Sequence, residues 1–289
     1  MTNVLNPNRY RVIVSAENNP YLAWQCKLFH FSCVSRLGQT PVFVVHESAA
    51  RDLQAGFEEI AKAGGLVRRA PSYELNAQGE AYLPRNTPGT LMQAAEDYGT
   101  QSEFFLLCDP DIIFLRPPVL PETLSGDYCS YMNFDHDFVE TARRALGLER
   151  EPIDAQKESL RCGTPYVVPT TNAAHLAAKW IEAIEAFPSR RWEDVMYAFG
   201  LAAIKLNLKV TLTRFAENNY WPDAIPQADA IHYCYGDENW SKRQYYTEAE
   251  ARSVWEPKVK APPETILGEL LSQIREARDF YRTQLKTDT

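Results

Sequence analysis

The chain has 289 residues, of which 45% are hydrophobic and 24% are charged, and its formal net charge is −8. A chain of this length can bury a core large enough to fold without metals or disulfides. The acidic balance and the lack of a Lys- or Arg-rich run argue against nucleic acid and anionic membranes as partners. We find no secretory leader in MTNVLNPNRY and no apolar run of the ~20 residues that a membrane helix needs, so we expect a cytoplasmic protein.

The first half of the chain alternates predicted strands and predicted helices. Runs of β-branched and apolar residues predict strands at Arg11–Ser15, Pro41–Val45, Leu66–Arg69 and Phe104–Cys108. Apolar residues at helical spacing predict helices between Pro20 and Gly38, at Ala49–Ala63 and at Thr87–Asp97. This alternation predicts an α/β fold with a mostly parallel central sheet and helices on both of its faces.

The second half of the chain is less regular. It has predicted strands at Tyr128–Met132, Tyr166–Val168, Lys209–Thr213 and Ala230–Tyr235, and predicted helices at Asn172–Phe187 and Trp192–Lys205. After Pro262-Pro263, apolar residues from Ile266 to Ala277 form a helical stripe. We therefore predict one domain over residues 1–258 and an amphipathic C-terminal helix over residues 259–289. This helix either packs on the domain or forms a dimer seam.

The segment FFLLCDPDIIFLRPP places two carboxylates at the end of the most hydrophobic predicted strand. Asp109 and Asp111 are two residues apart, so their side chains point to the same side of an extended chain. Pro110 lacks the N–H group that a central strand needs, which indicates that the strand ends here. Ligands of parallel sheets bind at the carboxyl ends of the strands. The pair is suited to hold a divalent cation against a diphosphate, and the alternative is an ordinary Asp-Pro turn.

A second pair of carboxylates, Asp135 and Asp137, flanks a histidine later in the chain. No strongly apolar strand leads into this pair, and charged residues crowd around it. We interpret it as a solvated loop near an acceptor, because loop aspartates usually satisfy turns. Asp109 and Asp111 therefore remain the preferred metal ligands.

The segment IHYCYG supplies a histidine within a predicted strand near the end of the chain. His232 offers a nitrogen ligand, Gly236 allows a close backbone approach, and Lys242 offers a cation for a diphosphate. A histidine at this position is equally consistent with a structural role in the strand. Beside a pair of carboxylates, we predict that His232 is a metal ligand.

Two further segments carry charged residues next to predicted helices. Glu193 and Asp194 open a helix, where they either complement the helix dipole or face the reacting groups as a catalytic carboxylate. Arg85 and Asn86 precede the helix that leads into the Asp-Pro-Asp strand. Arg85 is either a phosphate-binding arginine or an ordinary surface residue.

These segments, in their order along the chain, resemble the hydroxyproline O-arabinosyltransferases and peptidyl-serine α-galactosyltransferases of plants and algae. The matching segments are YLAWQC for the family's YxxWQ, FFLLCDPDIIFLRP for ILMxEPDHxFLxP, GTPYVV for GxSPVII, MYA for EMYA, and IHYCYG for IHYTYG. Arg85-Asn86 falls where the family has Asn-Arg-Pro. The resemblance extends over roughly residues 10 to 245. It departs from the family in Asp109, where the family has Glu, and in Val195, where the family has the Glu of EMYA.

The resemblance implies a glycosyltransferase of the GT-A fold that transfers a sugar from a nucleotide sugar, expected to be linked to UDP, with retention of configuration. The implied acceptor is a glycan, a peptide or a small molecule. The expected site has Mn²⁺ or Mg²⁺ on Asp109, Asp111 and His232, the donor on Arg85, Asn86, Gly236 and Lys242, and a catalytic carboxylate in Glu193 or Asp194. An oligomer formed through the C-terminal helix is compatible with this expectation.

Three other functions are alternatives to a glycosyltransferase. A nucleotidyltransferase or a metal-dependent phosphohydrolase would also combine paired carboxylates with a parallel sheet. No Gly-rich phosphate loop follows the first predicted strand, which argues against the nucleotidyltransferase. A binding module for sugar nucleotides or glycans would not need the combination of Asp109, Asp111 and His232.

Overall fold

The computed structural model describes residues 9–49, 51–218, 224–225, 227–234 and 236–286. Within these residues, the strands are β1 Tyr10–Glu17, β2 Val42–Glu47, β3 Leu66–Pro71, β4 Phe104–Cys108, β5 Ile112–Phe114, β6 Ser125–Tyr128, β7 Cys162–Pro169, β8 Thr211–Thr213, β9 Ala216–Asn218 and β10 Ala230–His232. The α-helices are α1 Pro20–Ser32, α2 Ala55–Lys62, α3 Asn86–Tyr98, α4 Asp137–Ala145, α5 Glu151–Gln156, α6 Thr170–Glu185, α7 Asp194–Lys205, α8 Glu248–Ser253 and α9 Ile266–Gln284. Predictions for MTNVLNPN, Ala50, Tyr235 and residues 287–289 fall outside the described residues.

The central sheet of the described chain is mostly parallel and has the strand order β3-β2-β1-β4-β7-β6-β8. β1 pairs in parallel with β4, and β6 pairs in parallel with β8. β7 runs antiparallel to both of its neighbours, β4 and β6. A smaller sheet has the order β5-β10-β9. The alternation of elements therefore predicted the mixed α/β architecture and the mostly parallel sheet.

Some predicted elements differ from the observed ones. The predicted strand Tyr128–Met132 is wrong in its position: the strand ends at Tyr128, and Met132 N then donates to Cys129 O (3.2 Å) in a turn. The helix predicted from Ala49 begins only at Ala55. The Asn18 side chain bonds to the backbone of Asp52 and Gln54, and these contacts hold the preceding residues out of the helix. The short strand β9 was not predicted.

The chain divides into two compact units. The described residues of the first unit belong to the ranges Met1–Ser15, Ala70–Cys108 and Leu120–Arg214. Those of the second unit belong to Ala16–Arg69, Asp109–Val119 and Phe215–Thr289. Among the described helices, none combines the length and apolarity required to cross a bilayer.

Aromatic packing holds the core of the first unit around the start of α7. The Tyr166 ring of β7 lies 4.3 Å from the Phe199 ring of α7 and 5.1 Å from the Trp180 ring of α6, measured between centroids. The Trp180 indole also donates a hydrogen bond to Val195 O (2.6 Å). These buried contacts fix the first turn of α7, on which one group of predicted site residues lies.

The apolar stripe of α9 packs into the core of the second unit. The stripe residues Ile266, Leu267, Leu270, Leu271, Ile274 and Ala277 are all buried. They form one cluster with Trp24 and Leu28 of α1, Ile113 of β5 and Ile231 of β10. Each large aliphatic side chain buried in this way contributes about 1.5–3 kcal/mol to the hydrophobic driving force for folding. The stripe therefore serves the core of its own unit, and an oligomer formed through α9 stays a prediction.

A side-chain cap and a close backbone contact define the start of α9. Thr265 Oγ1 accepts a hydrogen bond from Gly268 N (3.1 Å) and donates one to Pro262 O (2.7 Å). A Cβ atom at Gly268 would lie only 1.9 Å from Pro262 O, so the turn accepts glycine alone at this position. The helix predicted after the two prolines is therefore confirmed, and it begins at Ile266.

Removing the Tyr281 hydroxyl tests how strongly the end of α9 is held against α1. This hydroxyl lies 2.7 Å from His30 Nδ1, and both residues are buried. We expect Tyr281→Phe to lower the free energy of unfolding by about 1–3 kcal/mol, because the buried imidazole loses this partner. Urea denaturation measures the change, with the half-exposed Tyr98→Phe as control. Equal losses in the two variants would contradict the assignment.

Candidate functional site

The pairing of β5 with β10 brings the Asp-Pro-Asp segment next to His232. The two strands are antiparallel, and His232 pairs with Ile112 while Ile231 pairs with Ile113. One residue beyond the ladder, Tyr233 N donates to Asp111 O (2.9 Å). The register therefore places a residue from the last third of the chain beside a carboxylate that precedes it by more than a hundred positions.

Asp109, Asp111 and His232 form a cluster in the second unit. Each side chain offers one ligand atom, and these three atoms lie within 4.8 Å of one another. Asp111 is buried, and the other two residues are half-buried. Within the described residues, the carboxylate oxygens of Asp109 have no hydrogen-bond or ion-pair partner. The carboxylate of Asp111 has two partners, His232 and Lys242. The structure thus brings together all three residues that the sequence predicts as metal ligands.

Both carboxylate oxygens of Asp111 have cationic or potentially cationic partners. His232 Nε2 lies 3.2 Å from Oδ1, and Lys242 Nζ forms a close ion pair with Oδ2. The side chains of all three residues are at most 15% exposed. An ion pair with so little exposure is screened much less by salt than a surface pair. Asp111 is therefore the common partner of the two other residues.

A tight turn after Gly236 positions Lys242. Gly236 forms a bridge with Ser241, and a Cβ atom at Gly236 would lie 2.6 Å from both Ser241 Cα and Trp240 O. Asp237 Oδ1 accepts a hydrogen bond from Trp240 N (3.2 Å) inside the turn. Ser241 then caps the short 3₁₀ helix that begins at Lys242. Gly236 thus allows a close approach of the chain to itself, and its predicted contact with a donor stays a prediction.

The pKa values in the cluster show an uneven distribution of charge. Burial, followed by the charge of Asp111, raises the pKa of Asp109 to about 6. Burial also opposes ionisation of Asp111, but the charges of Lys242 and His232 outweigh it and hold the pKa of Asp111 well below its ordinary value. Burial disfavours the charged forms of His232 and Lys242, yet Asp111 raises both pKa values, that of Lys242 to about 12.

The cluster fits a divalent cation chemically. Two carboxylates and one imidazole form a donor set that suits Mn²⁺, and the nitrogen ligand favours Mn²⁺ over Mg²⁺. The three ligand atoms lie within 4.8 Å of one another, so Asp109, Asp111 and His232 would hold one cation after side-chain movements. Burial, and after it the charge of Asp111, raises the pKa of Asp109, so the ionised form of Asp109 is disfavoured in the free cluster. Asp111 must, however, exchange one of its present partners for the ion.

Aromatic residues of α1 and of the chain after Lys242 surround this cluster. The Tyr21 ring stacks on the Tyr246 ring with a centroid distance of 4.2 Å. The Trp24 indole donates to Tyr245 O (3.2 Å). Burial raises the pKa of Tyr21 to about 12, although the nearby charge of Lys242 acts in the opposite direction. Neither Tyr21 nor Tyr246 was predicted to lie near the site, although Tyr21 belongs to the YLAWQC segment that resembles the family's YxxWQ.

Arg85 and Asn86 lie in the first unit and bind its own loop. Arg85 is buried, forms an ion pair with Glu185, and donates to Glu74 O (3.0 Å). Asn86 Oδ1 accepts from Tyr73 N (2.8 Å). These contacts hold the loop before α3. Neither residue is an ordinary surface residue, and their predicted contact with a donor stays a prediction.

Glu193 and Asp194 have different environments at the start of α7. Asp194 is fully buried, and its Oδ2 accepts from Arg191 N (2.9 Å). Burial raises the pKa of Asp194 to about 6, although the Arg191 N–H acts in the opposite direction. Glu193 is half-buried and lines a cavity. The geometry thus favours Glu193 for contact with a ligand, and a catalytic role for either residue stays a prediction.

The rival carboxylates Asp135 and Asp137 are exposed residues of the first unit. Asp135 forms ion pairs with Arg150 and Lys157, which lower its pKa. Asp137 is the first residue of α4 and lines the same cavity as Glu193. The interpretation of Asp135 as part of a solvated loop agrees with these contacts.

Comparison with known proteins points to glycosyltransferases. The chain is 22% identical over 246 residues to hydroxyproline O-arabinosyltransferase NOD3 of Pisum sativum. This alignment covers 79% of this chain and 70% of the length of that protein. It is 20% identical over 243 residues to hydroxyproline O-arabinosyltransferase PLENTY of Lotus japonicus. This alignment covers 79% of this chain and 64% of the length of that protein, which is less than two thirds. No family model matches the chain. The chain is therefore a distant relative of glycosyltransferases, in agreement with the resemblance of its motifs.

Metal affinity should depend on pH because the free cluster holds protons. Asp109 has a pKa of about 6 and His232 a raised pKa, and both must be deprotonated to bind a cation. We expect Mn²⁺ affinity to fall at least about tenfold per pH unit below pH 6. Calorimetry in two buffers of different ionisation enthalpy measures both the affinity and the released protons. Constant affinity from pH 5 to pH 7, without proton release, would be incompatible with this cluster as the metal site.

The buried Asp194 should make folding stability depend on pH. Its pKa is raised from 3.8 to about 6 in the folded state, so its contribution to stability is complete below about pH 3.8 and is lost as the pH rises through about 6. We expect the melting temperature of the wild type to fall more between pH 5 and pH 7 than that of Asp194→Asn. Thermal denaturation measures this difference, with the exposed Glu149→Gln as control. Parallel curves for wild type and Asp194→Asn would refute the assignment.

Proposed function

We propose that this protein is a metal-dependent glycosyltransferase of the GT-A fold. It transfers a sugar from a UDP-sugar to an acceptor hydroxyl with retention of configuration. The observation that carries the proposal is the convergence of Asp109, Asp111 and His232 in one cluster, with Lys242 bound to Asp111. The distant similarity to hydroxyproline O-arabinosyltransferases supports the same reaction class.

Each residue of the cluster has a distinct part in the proposed reaction. Asp109, Asp111 and His232 would hold Mn²⁺ or Mg²⁺, which supplies positive charge against the diphosphate as it leaves. Lys242 donates to a diphosphate oxygen and adds a second positive charge there. The low exposure of these side chains strengthens such interactions relative to those in water.

Lys242 reaches this role by exchanging its partner. In the structure, its ammonium group neutralises Asp111. A cation on Asp111 would repel that group, whereas a diphosphate would attract it. Lys242 therefore competes with a metal alone but cooperates with a metal that arrives with a diphosphate. This exchange keeps the buried carboxylate paired both before and after the donor binds.

A carboxylate of the first unit that contacts the acceptor is a separate part of the proposal. Glu193, which has no side-chain partner within the described residues, accepts a hydrogen bond from the acceptor. Transfer with retention does not require Glu193 to attack the sugar, since positioning and stabilisation of the leaving diphosphate account for much of the acceleration. Asp194 supports the first turn of α7 through its bond to Arg191 N.

The released product distinguishes this reaction from the alternatives. A glycosyltransferase releases UDP, a nucleotidyltransferase releases pyrophosphate, and a phosphohydrolase releases inorganic phosphate. A binding module releases nothing. Released UDP is therefore measured with UDP-sugars and acceptors, pyrophosphate with nucleoside triphosphates and sugar 1-phosphates, and inorganic phosphate with phosphate monoesters. The product that forms identifies the reaction class.

The proposed donor site predicts that UDP binds together with a metal. We expect calorimetry to show UDP binding with Mn²⁺ and a loss of at least about tenfold in affinity after chelation. Asp111→Asn should cause a similar loss, because it removes one of two carboxylates and the partner of Lys242. The matched control is Asp135→Asn, which removes an exposed and paired carboxylate. Equal UDP affinity with and without metal would remove the metal-bridged diphosphate from the proposal.

The proposed move of the Lys242 ammonium from Asp111 to the diphosphate predicts that Lys242 couples the binding of metal to the binding of nucleotide. We expect Lys242→Met to bind Mn²⁺ alone about 3- to 10-fold more tightly, because Asp111 loses its competing cation. The enhancement of Mn²⁺ affinity by UDP should shrink by about tenfold or more, because the diphosphate loses its cationic partner. Manganese titrations followed by electron paramagnetic resonance, with and without UDP, measure both quantities.

The exposed neighbour Arg243 provides the control for this experiment. Arg243→Met removes one positive charge from the same short helix but leaves the ion pair of Asp111 intact. It should therefore change neither quantity by more than about twofold. If Lys242→Met weakened Mn²⁺ binding in the absence of UDP, Lys242 would support the metal site, and the exchange would be wrong.

A further inference from the structure

A cavity of about 570 Å³ lies in the first unit beside the start of α7. Its wall includes Tyr131, Asp137, Phe138, Arg191 and Glu193, which come from the loop before α4, from α4 itself and from the residues before α7. Its volume is within the range of about 300–1,000 Å³ that is typical of small-molecule sites.

One exposed aromatic ring, that of Tyr131, lines this cavity, and a second, that of Trp192, lies next to Tyr131. Tyr131 is 47% exposed and Trp192 is 61% exposed, although large aromatic side chains are usually buried. Their ring centroids are 6.4 Å apart, and the ring planes are inclined by 45°. Tyr131 lines the cavity, and Trp192 lies between two lining residues in the sequence, Arg191 and Glu193. The rings thus offer flat apolar faces next to polar groups.

Three charged side chains at the cavity wall have no ion-pair partner in the part of the chain that the structure describes. They are Asp137, Arg191 and Glu193, and Arg191 instead lies over the Phe138 ring at 3.9 Å. Many other charged residues of the chain form ion pairs, including the neighbouring Arg190 with Glu185. A wall with two carboxylates and one guanidinium offers both acceptors and donors of hydrogen bonds.

We propose that this cavity binds a neutral saccharide as the acceptor, an inference that rests on the proposed glycosyltransferase function. A sugar ring has one face of C–H groups, which packs against the electron-rich face of an aromatic ring, and a rim of hydroxyls. Trp192 and Tyr131 receive the C–H face. Glu193 and Asp137 accept hydrogen bonds from hydroxyls, and Arg191 donates to a hydroxyl or ring oxygen.

The composition of the wall favours a saccharide over other acceptors. A nucleotide or another polyanion would meet two carboxylates beside one arginine and one histidine, His136, so it gains little from charge. A purely apolar ligand would bury these three charged groups without partners, which is costly. A neutral polyhydroxylated ligand satisfies donors and acceptors at once and uses the exposed rings.

Saturation-transfer NMR with neutral disaccharides tests the proposal directly. Maltose, cellobiose, lactose and mannobiose serve as probes, without metal or nucleotide. We expect at least one of them to bind, with transfer strongest at the C–H protons of one ring face. Trp192→Ala should weaken that binding about tenfold, Trp192→Phe should restore most of it, and Glu193→Gln should weaken it about 3- to 10-fold. The exposed Glu149→Gln should leave it unchanged.

The outcomes separate this inference from the proposed function. Disaccharide binding that Trp192→Ala and Glu193→Gln do not weaken would place the saccharide elsewhere and overturn the proposal. Binding of a hydroxyproline-containing peptide, with no disaccharide bound, would also overturn it in favour of a peptide acceptor. Because the Mn²⁺–UDP calorimetry does not involve Trp192, its failure would refute the donor site and leave a saccharide-binding cavity. If UDP binds together with Mn²⁺ but no disaccharide binds, the donor site is supported and saccharide binding by the cavity is refuted.

Discussion

The buried carboxylate of Asp111 is the constraint on which the site depends. A buried charge is tolerated only when it is paired and hydrogen-bonded, and the Asp111 carboxylate meets this condition through Lys242 and His232. The β5–β10 register supplies His232, while the turn after Gly236 supplies Lys242. The core of the second unit, in which α9 packs beside Ile113 and Ile231, supports these two strands. The strand register, the turn and the packing of the core therefore all position the partners of the Asp111 carboxylate.

This arrangement gives the site two states that keep its charges balanced. Without a donor, Lys242 pairs with Asp111, and burial together with the charge of Asp111 disfavours the ionised form of Asp109. With a donor, in our proposal, a metal takes over Asp111 and Lys242 moves to the diphosphate. Neither a cation alone nor a diphosphate alone makes the full set of contacts. The proposed consequence is cooperative capture of the metal and the nucleotide, which favours a complete donor over free metal.

The sequence predicted the site better where the signal was local than where it depended on tertiary contacts. The apolar run before Asp109 and the spacing of Asp109 and Asp111 predicted a strand end with two converging carboxylates, and the structure confirms the strand β4. No local pattern shows that Lys242 pairs with Asp111, because the turn from Gly236 to Ser241 determines that contact. Likewise, the pattern at Glu193 and Asp194 does not reveal which carboxylate is buried. The late start of α2 has the same origin, since the Asn18 side chain holds residues that are distant in sequence.

The most direct test of the proposed donor site is a crystal structure with Mn²⁺ and UDP, with data collected at the manganese absorption edge. We expect an anomalous peak beside Asp109, Asp111, His232 and the diphosphate, with Lys242 Nζ on a diphosphate oxygen and no longer on Asp111. Manganese bound away from these three side chains, or Lys242 still paired with Asp111 beside a bound diphosphate, would contradict it.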